Sequence, residues 1–142
     1  MKTFRFSLEQ ILELRQEEEQ EAEVRLGRAV SEWSRFYQDK QDRQEKKRSI
    51  VPGRSPEDIR QTSLYLSRLD QEIVRFQSDM DQREPELERL REEYRRARAA
   101  REGLDKLKEK RHDEYHKKAV QREAMALDDL SMSMNRARNL SE

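Results

Sequence analysis

The chain has no cysteine, three glycines, three prolines and 6% aromatic residues in 142 positions. Each shortage excludes something. Without cysteine there are no disulfides and no thiolate metal sites, and a reducing compartment is the natural expectation. Three glycines cannot furnish a glycine-rich phosphate loop, so nucleotide hydrolysis by this chain alone is not expected. An excess of one charge is missing as well. The 31 basic and 31 acidic residues cancel, which removes the bulk positive charge that nucleic-acid binding draws on. No apolar run could span a bilayer, and residues 1–14 do not read as a secretory leader, so the protein is expected to stay where it is made. At 32% hydrophobic against 44% charged, the chain is also too lean for an ordinary globular core of its length.

What remains is dominated by Ala, Glu, Leu, Lys, Arg and Gln, all strong helix formers. Their apolar members recur at alternating three- and four-residue spacing. One series runs Leu8, Leu12, Ala22, Leu26, Ala29, Trp33, Phe36; a second runs Ile59, Leu66, Leu69, Ile73, Phe76, Met80, Leu87, Leu90, Tyr94, Ala97, Leu104. That period places a narrow seam on each of two long helices, and a narrow seam is hidden only against another helix. The expected fold is all-α, an antiparallel two-helix coiled-coil hairpin with a longer second helix.

The break between the helices is at Ser49-Ile50-Val51-Pro52-Gly53-Arg54, where Pro52 and Gly53 stop a helix and turn the chain. A single coiled-coil domain over 1–142 is expected, with helix 1 over about 7–48, a turn over 49–55 and helix 2 over about 56–134. Ser7 with Gln10 reads as a capping box, and Phe6 with Ile11 as a hydrophobic staple. Ser55, followed by Pro56, Glu57 and Asp58, reads as the N-cap of helix 2. Pro85 lies inside the helical pattern and is expected to kink helix 2 or break it for a turn. Folding back from the turn, helix 1 is expected to cover helix 2 only to about Ala97 or Ala100. Beyond that the period lands on Lys108, Arg111, Lys118 and Arg122, and the seam weakens.

Candidates for chemistry are few. His112 and His116 lie four apart, but Asp113 stands where the zinc-protease motif needs glutamate, and a thin coiled coil has no pocket to enclose a metal. No catalytic residue, metal, cofactor or small-molecule ligand is expected. The basic tract Arg89 to Arg101 is diluted by Glu88, Glu92 and Glu93, so it is weak as a nucleic-acid site and better suited to an acidic protein surface. Tyr37 beside Phe36, and Tyr65 beside Leu66, flank the seam near the turn. Such aromatics serve either as shoulders of the seam or as anchors for a partner.

Two terminal segments carry a resemblance. Phe4-Arg5-Phe6-Ser7-Leu8-Glu9-Gln10-Ile11-Leu12-Glu13-Leu14-Arg15 resembles the opening of the FliJ family, small coiled-coil components of the bacterial flagellar export apparatus. Leu107-Lys108-Glu109-Lys110-Arg111-His112-Asp113-Glu114-Tyr115, followed by Arg122-Glu123 and Leu127-Asp128-Asp129, resembles its C-terminal stretch. The resemblance implies an antiparallel coiled coil similar to the central stalk of rotary ATPases. It implies that the protein sits in the pore of a hexameric export ATPase, promotes its assembly and activity, contacts the membrane export gate protein and handles export chaperones. It implies a non-catalytic, cytoplasmic protein, peripheral at the inner membrane at the flagellar base. On this resemblance Phe6, Leu8, Ile11, Leu12, Arg15, Lys108, Arg111 and Tyr115 belong to the end that meets the ATPase. Tyr37, Tyr65, Leu69 and Phe76 are the loose counterparts of the gate-binding surface.

Two other readings fit a mixed-charge coiled coil. One is a self-associating structural scaffold, which Arg15 and Glu19 at core positions argue against, since polar core residues limit register and assembly. The other is the equivalent stalk of a virulence-type secretion system.

Overall fold

The computed structural model describes residues 3–141. As the two seams predict, the chain is an all-α helical hairpin. Helix α1 spans Glu9–Ser49 and α2 spans Pro56–Leu140, and no strand occurs among the described residues. Two compact units divide it. A turn unit comprises Glu17–Ala97, and a terminal unit joins the residues up to Gln16 with those from Arg98 onward.

In the turn unit, one side chain from every turn or two of each helix reaches the seam. Ala22, Leu69, Met80, Leu87 and Leu90 are buried, and Leu26, Ala29, Trp33, Phe36, Leu66, Ile73, Phe76, Tyr94 and Ala97 are half-buried around them. Ile59, expected to open the second series, is 53% exposed and lies outside this core. The seam is flanked by bonds that cross between the helices. Glu32 pairs with Arg83 at 2.9 Å, Lys40 Nζ donates to Gln77 Oε1, Arg43 pairs with Glu72 at 2.7 Å, and Lys47 pairs with Asp70 at 2.6 Å. Numbers rising on α1 meet numbers falling on α2, which is the antiparallel register. Each exposed pair contributes at most about 1 kcal/mol, so these contacts align the helices more than they hold them together.

The turn obeys its local chemistry. Ser55 caps α2: its Oγ accepts the Asp58 N–H at 3.1 Å and its carbonyl accepts the Ile59 N–H at 3.0 Å. Lys46, Lys47 and Arg48 occupy the last turn of α1, where cations complement the helix dipole. Gly53 is required for a steric reason, because a Cβ there would overlap the Asp58 side chain.

The terminal unit corrects two expectations. First, Leu8 and not Ser7 caps α1, since the Leu8 carbonyl accepts the first helical bond from the Leu12 N–H at 2.9 Å. A turn precedes it, closed by the Glu9 N–H on the Phe6 carbonyl at 3.1 Å. The Ser7 hydroxyl is used elsewhere: it accepts from Arg111 Nη1 at 3.0 Å. Phe6 is buried while Ile11 is 43% exposed, so the expected staple pair is split between core and solvent.

Second, α2 is covered well beyond Ala100. Lys108 pairs with Glu9 at 2.9 Å, and Phe4 packs on both His112 and Tyr115. The reason lies in the lysine and arginine stems. Their methylene chains cover apolar surface while the charged heads stay wet, so charged residues can continue a seam. Past Tyr115, only Ala119 is half-buried; every other residue from His116 to Leu140 is exposed.

Pro85 does not break α2, which is assigned continuously through it. Pro85 is itself exposed, so the missing N–H costs one helical bond on a wet face.

Candidate functional site

The residues singled out in the sequence fall into two groups in the structure. The first gathers in the terminal unit. Phe4, Phe6 and Ser7 precede the helix and meet α2 between Arg111 and Tyr115. The Arg111 guanidinium sits 5.6 Å from the centre of the Phe6 ring, within the range of cation–π attraction, while its Nη1 donates to Ser7. Lys108 reaches Glu9. The Phe4 ring meets His112 edge-on at 5.2 Å and Tyr115 at 5.6 Å. Of the eight residues assigned to this end, Phe6 and Leu12 are buried, at 7% and 2% exposure. Leu8, Arg15, Lys108 and Tyr115 are half-buried, and Ile11 and Arg111 are exposed. The chain start and the later part of α2 therefore meet in one unit, with Ile11 and Arg111 the exposed members among these eight.

Four residues at that meeting went unassigned in the sequence: Phe4, Ser7, Glu9 and His112. Phe4 had a signal, since a second phenylalanine two positions from Phe6 suits an extended arm and not a helix. His112 had none, because its value comes from a ring more than a hundred positions earlier in the chain.

The second group flanks the turn, and it is mixed. Tyr37 and Tyr65 are 41% and 42% exposed. Tyr37 stacks on Trp33, with ring centres 5.8 Å apart and planes 9° from parallel. Leu69, at 2% exposure, is a core residue of the seam and presents nothing to a partner. Phe76 is half-buried, with the Arg43 guanidinium 5.7 Å from its ring centre. Tyr37 and Tyr65 are thus the members of this group that can be touched from outside.

The basic tract is less available than its composition suggests. Arg89 is held by Glu86 and Glu93, Arg91 by Glu88, Arg95 by Glu88 and Glu92, Arg96 by Glu92 and Arg98 by Glu102. Hydrogen bonding from Arg89 holds the Glu86 carboxyl below its usual range, and Arg43 does the same to Glu72. The arginines face their own helix's acids, one or two turns away, so an acidic partner would have to displace them.

Among the described residues no group of three or more His, Cys, Asp or Glu is placed to hold a metal ion. No described helix is long and apolar enough to cross a membrane. The hollows on the surface are shallow grooves between solvated side chains, the one nearest the first group being lined by Phe4, Arg5, Phe6, Glu9 and Lys108.

The fold is an all-α helical hairpin that carries exposed aromatics and cations along its two helices. The chain matches the family described as Flagellar FliJ protein over residues 4–140, and it belongs to that family. No curated protein matches the chain, and no solved structure does either. The family is a non-catalytic component of flagellar protein export, and membership gives the chain an export-related role.

Proposed function

We propose that the chain works as a single stalk-like coiled coil in the flagellar type III export apparatus, on the cytoplasmic side of the inner membrane at the flagellar base. Its terminal unit inserts in the hexameric export ATPase and favours the assembled ring. Its turn-proximal aromatics meet the membrane export gate protein, and the protein handles export chaperones. The supporting observation is the gathering of Phe4, Phe6, Ser7 and Glu9 onto Lys108, Arg111, His112 and Tyr115. The two segments that resemble the family's ends thereby become one surface. Binding energy at that surface couples to ring assembly by mass action, so a stalk raises hydrolysis without adding a catalytic group.

The test is the ATPase rate as a function of ATPase concentration, with and without this protein. Stimulation should be largest where hexamers are sparse. Lys108→Glu with Arg111→Glu should abolish it, as should removal of residues 1–15, while circular dichroism still reports a folded turn unit. Tyr37→Ala with Tyr65→Ala should spare stimulation and weaken gate binding. Equal stimulation by the intact, charge-reversed and truncated proteins would refute the stalk reading and leave a structural scaffold.

A further inference from the structure

All the sulfur in this chain is thioether sulfur, because five methionines are present and cysteine is absent. Those methionines are placed unevenly. Met80 lies in the seam of the turn unit at 5% exposure, whereas Met125, Met132 and Met134 on the last stretch of α2 are 69%, 62% and 66% exposed. The three sit within ten residues of one another, on a helical segment whose residues past Ala119 are all exposed among those described. Oxidation of sulfur follows its access to the oxidant, so the fold sorts these side chains into one shielded and three open sulfurs.

We infer that the end of α2 is a reversible oxidation site for hydroperoxides, which convert Met125, Met132 and Met134 to sulfoxides and leave Met80 reduced. In each step a sulfur lone pair attacks one peroxide oxygen. A sulfur–oxygen bond forms, the oxygen–oxygen bond breaks, and the departing oxygen takes up the proton and leaves as water or an alcohol. The thioether loses two electrons and the peroxide gains them. A reductase specific for methionine sulfoxide reverses the change.

The position of these residues decides what the change does. Val120, Leu127 and Leu130 are also exposed, at 51%, 66% and 57%, and with Met134 they keep the three-and-four spacing of one helical face. Met125 and Met132, seven apart, lie on the opposite side of this helix, so oxidation places one polar sulfoxide in the apolar face and two on the other side, and the segment as a whole loses apolar surface. All three residues are exposed, so no buried contact is lost and the packed units keep their stability. Oxidation at Met80 would act differently, by forcing a polar group into the seam.

The experiment exposes the full-length protein to hydrogen peroxide and follows it by peptide mass mapping, thermal melting and retention on a phenyl matrix. The peptides carrying Met125, Met132 and Met134 should together gain three oxygen atoms, and the Met80 peptide should react at least about ten times more slowly. The melting midpoint should not move, retention should fall, and methionine sulfoxide reductase should restore both mass and retention. The variant Met125→Leu/Met132→Leu/Met134→Leu should keep its retention after peroxide. Equal oxidation of Met80, unchanged retention of the oxidised protein, or an equal loss of retention in the leucine variant would overturn the inference.

Discussion

The turn unit and the terminal unit are built from the same two helices but held by different means. In the turn unit the seam is apolar, and cross-helix bonds such as Glu32–Arg83, Arg43–Glu72 and Lys47–Asp70 fix the register at its flanks. In the terminal unit the apolar side chains thin out, and buried Phe6 and Leu12 are joined by basic stems and by rings from a short non-helical arm. Packing dominates the first, and lined-up cations and aromatics carry much of the second. The lesson is that a coiled coil can give up hydrophobic content toward its ends without giving up its partner.

The comparison is broken most directly by a charge in either core. Leu69→Asp should cost the turn unit at least about 3 kcal/mol, because it places an unpaired carboxylate in a site of 2% exposure. Leu12→Asp, at equal burial, should do the same to the terminal unit. Hydrogen exchange reads the two units separately: each variant should lose protection mainly in its own unit. Uniform loss in both variants would show that the division has no energetic meaning.

A smaller effect is expected at the turn. Gly53→Ala should destabilise the turn unit by roughly 1–3 kcal/mol through the clash with Asp58. A melt that is unchanged or raised would mean the turn relaxes freely.

The cation–π contacts allow a finer comparison. Arg83 lies 4.7 Å from the Phe36 ring centre and Arg111 lies 5.6 Å from that of Phe6. Double-mutant cycles using Arg→Gln and Phe→Leu should each give a coupling of about 0.5–1 kcal/mol. A coupling in neither pair would reduce these contacts to simple proximity.

The smallest effect is electrostatic. Hydrogen bonding from Arg43 lowers the Glu72 carboxyl relative to its ordinary value of 4.5. The bridge therefore stabilises the fold above that pH, and its contribution disappears as the pH falls through the lowered folded value. Glu72→Gln should melt below the parent at pH 7, and the gap should close in acid. A gap that stays constant from pH 7 to strongly acid conditions would show that the carboxylate charge is not what matters.

Much of this was legible in the chain. The seam, the turn and the Ser55 cap follow from spacing and local chemistry, which act over a few residues. The Ser7 cap was misread because a hydroxyl near a helix start has two uses, and Arg111, distant in sequence, claims this one. The extent of pairing was underestimated because hydropathy scores Lys108 and Arg111 by their heads and not by their stems. For the site, sequence spacing does not distinguish Leu69, sealed in the core, from Tyr65, open to solvent. That difference depends on which side of α2 the other helix covers.

On α1, Phe36 is followed one heptad later by Arg43; on α2, Phe76 is followed one heptad later by Arg83. The antiparallel arrangement sets each arginine over the other helix's phenylalanine. The pattern works like a parity check on alignment. If either helix slid by a single heptad, the nearest repeat that would still present an apolar face, ring would meet ring in one direction and guanidinium would meet guanidinium in the other, and both contacts would fail together. A slip that hydrophobicity alone would tolerate is thus rejected twice, by a signal four side chains long.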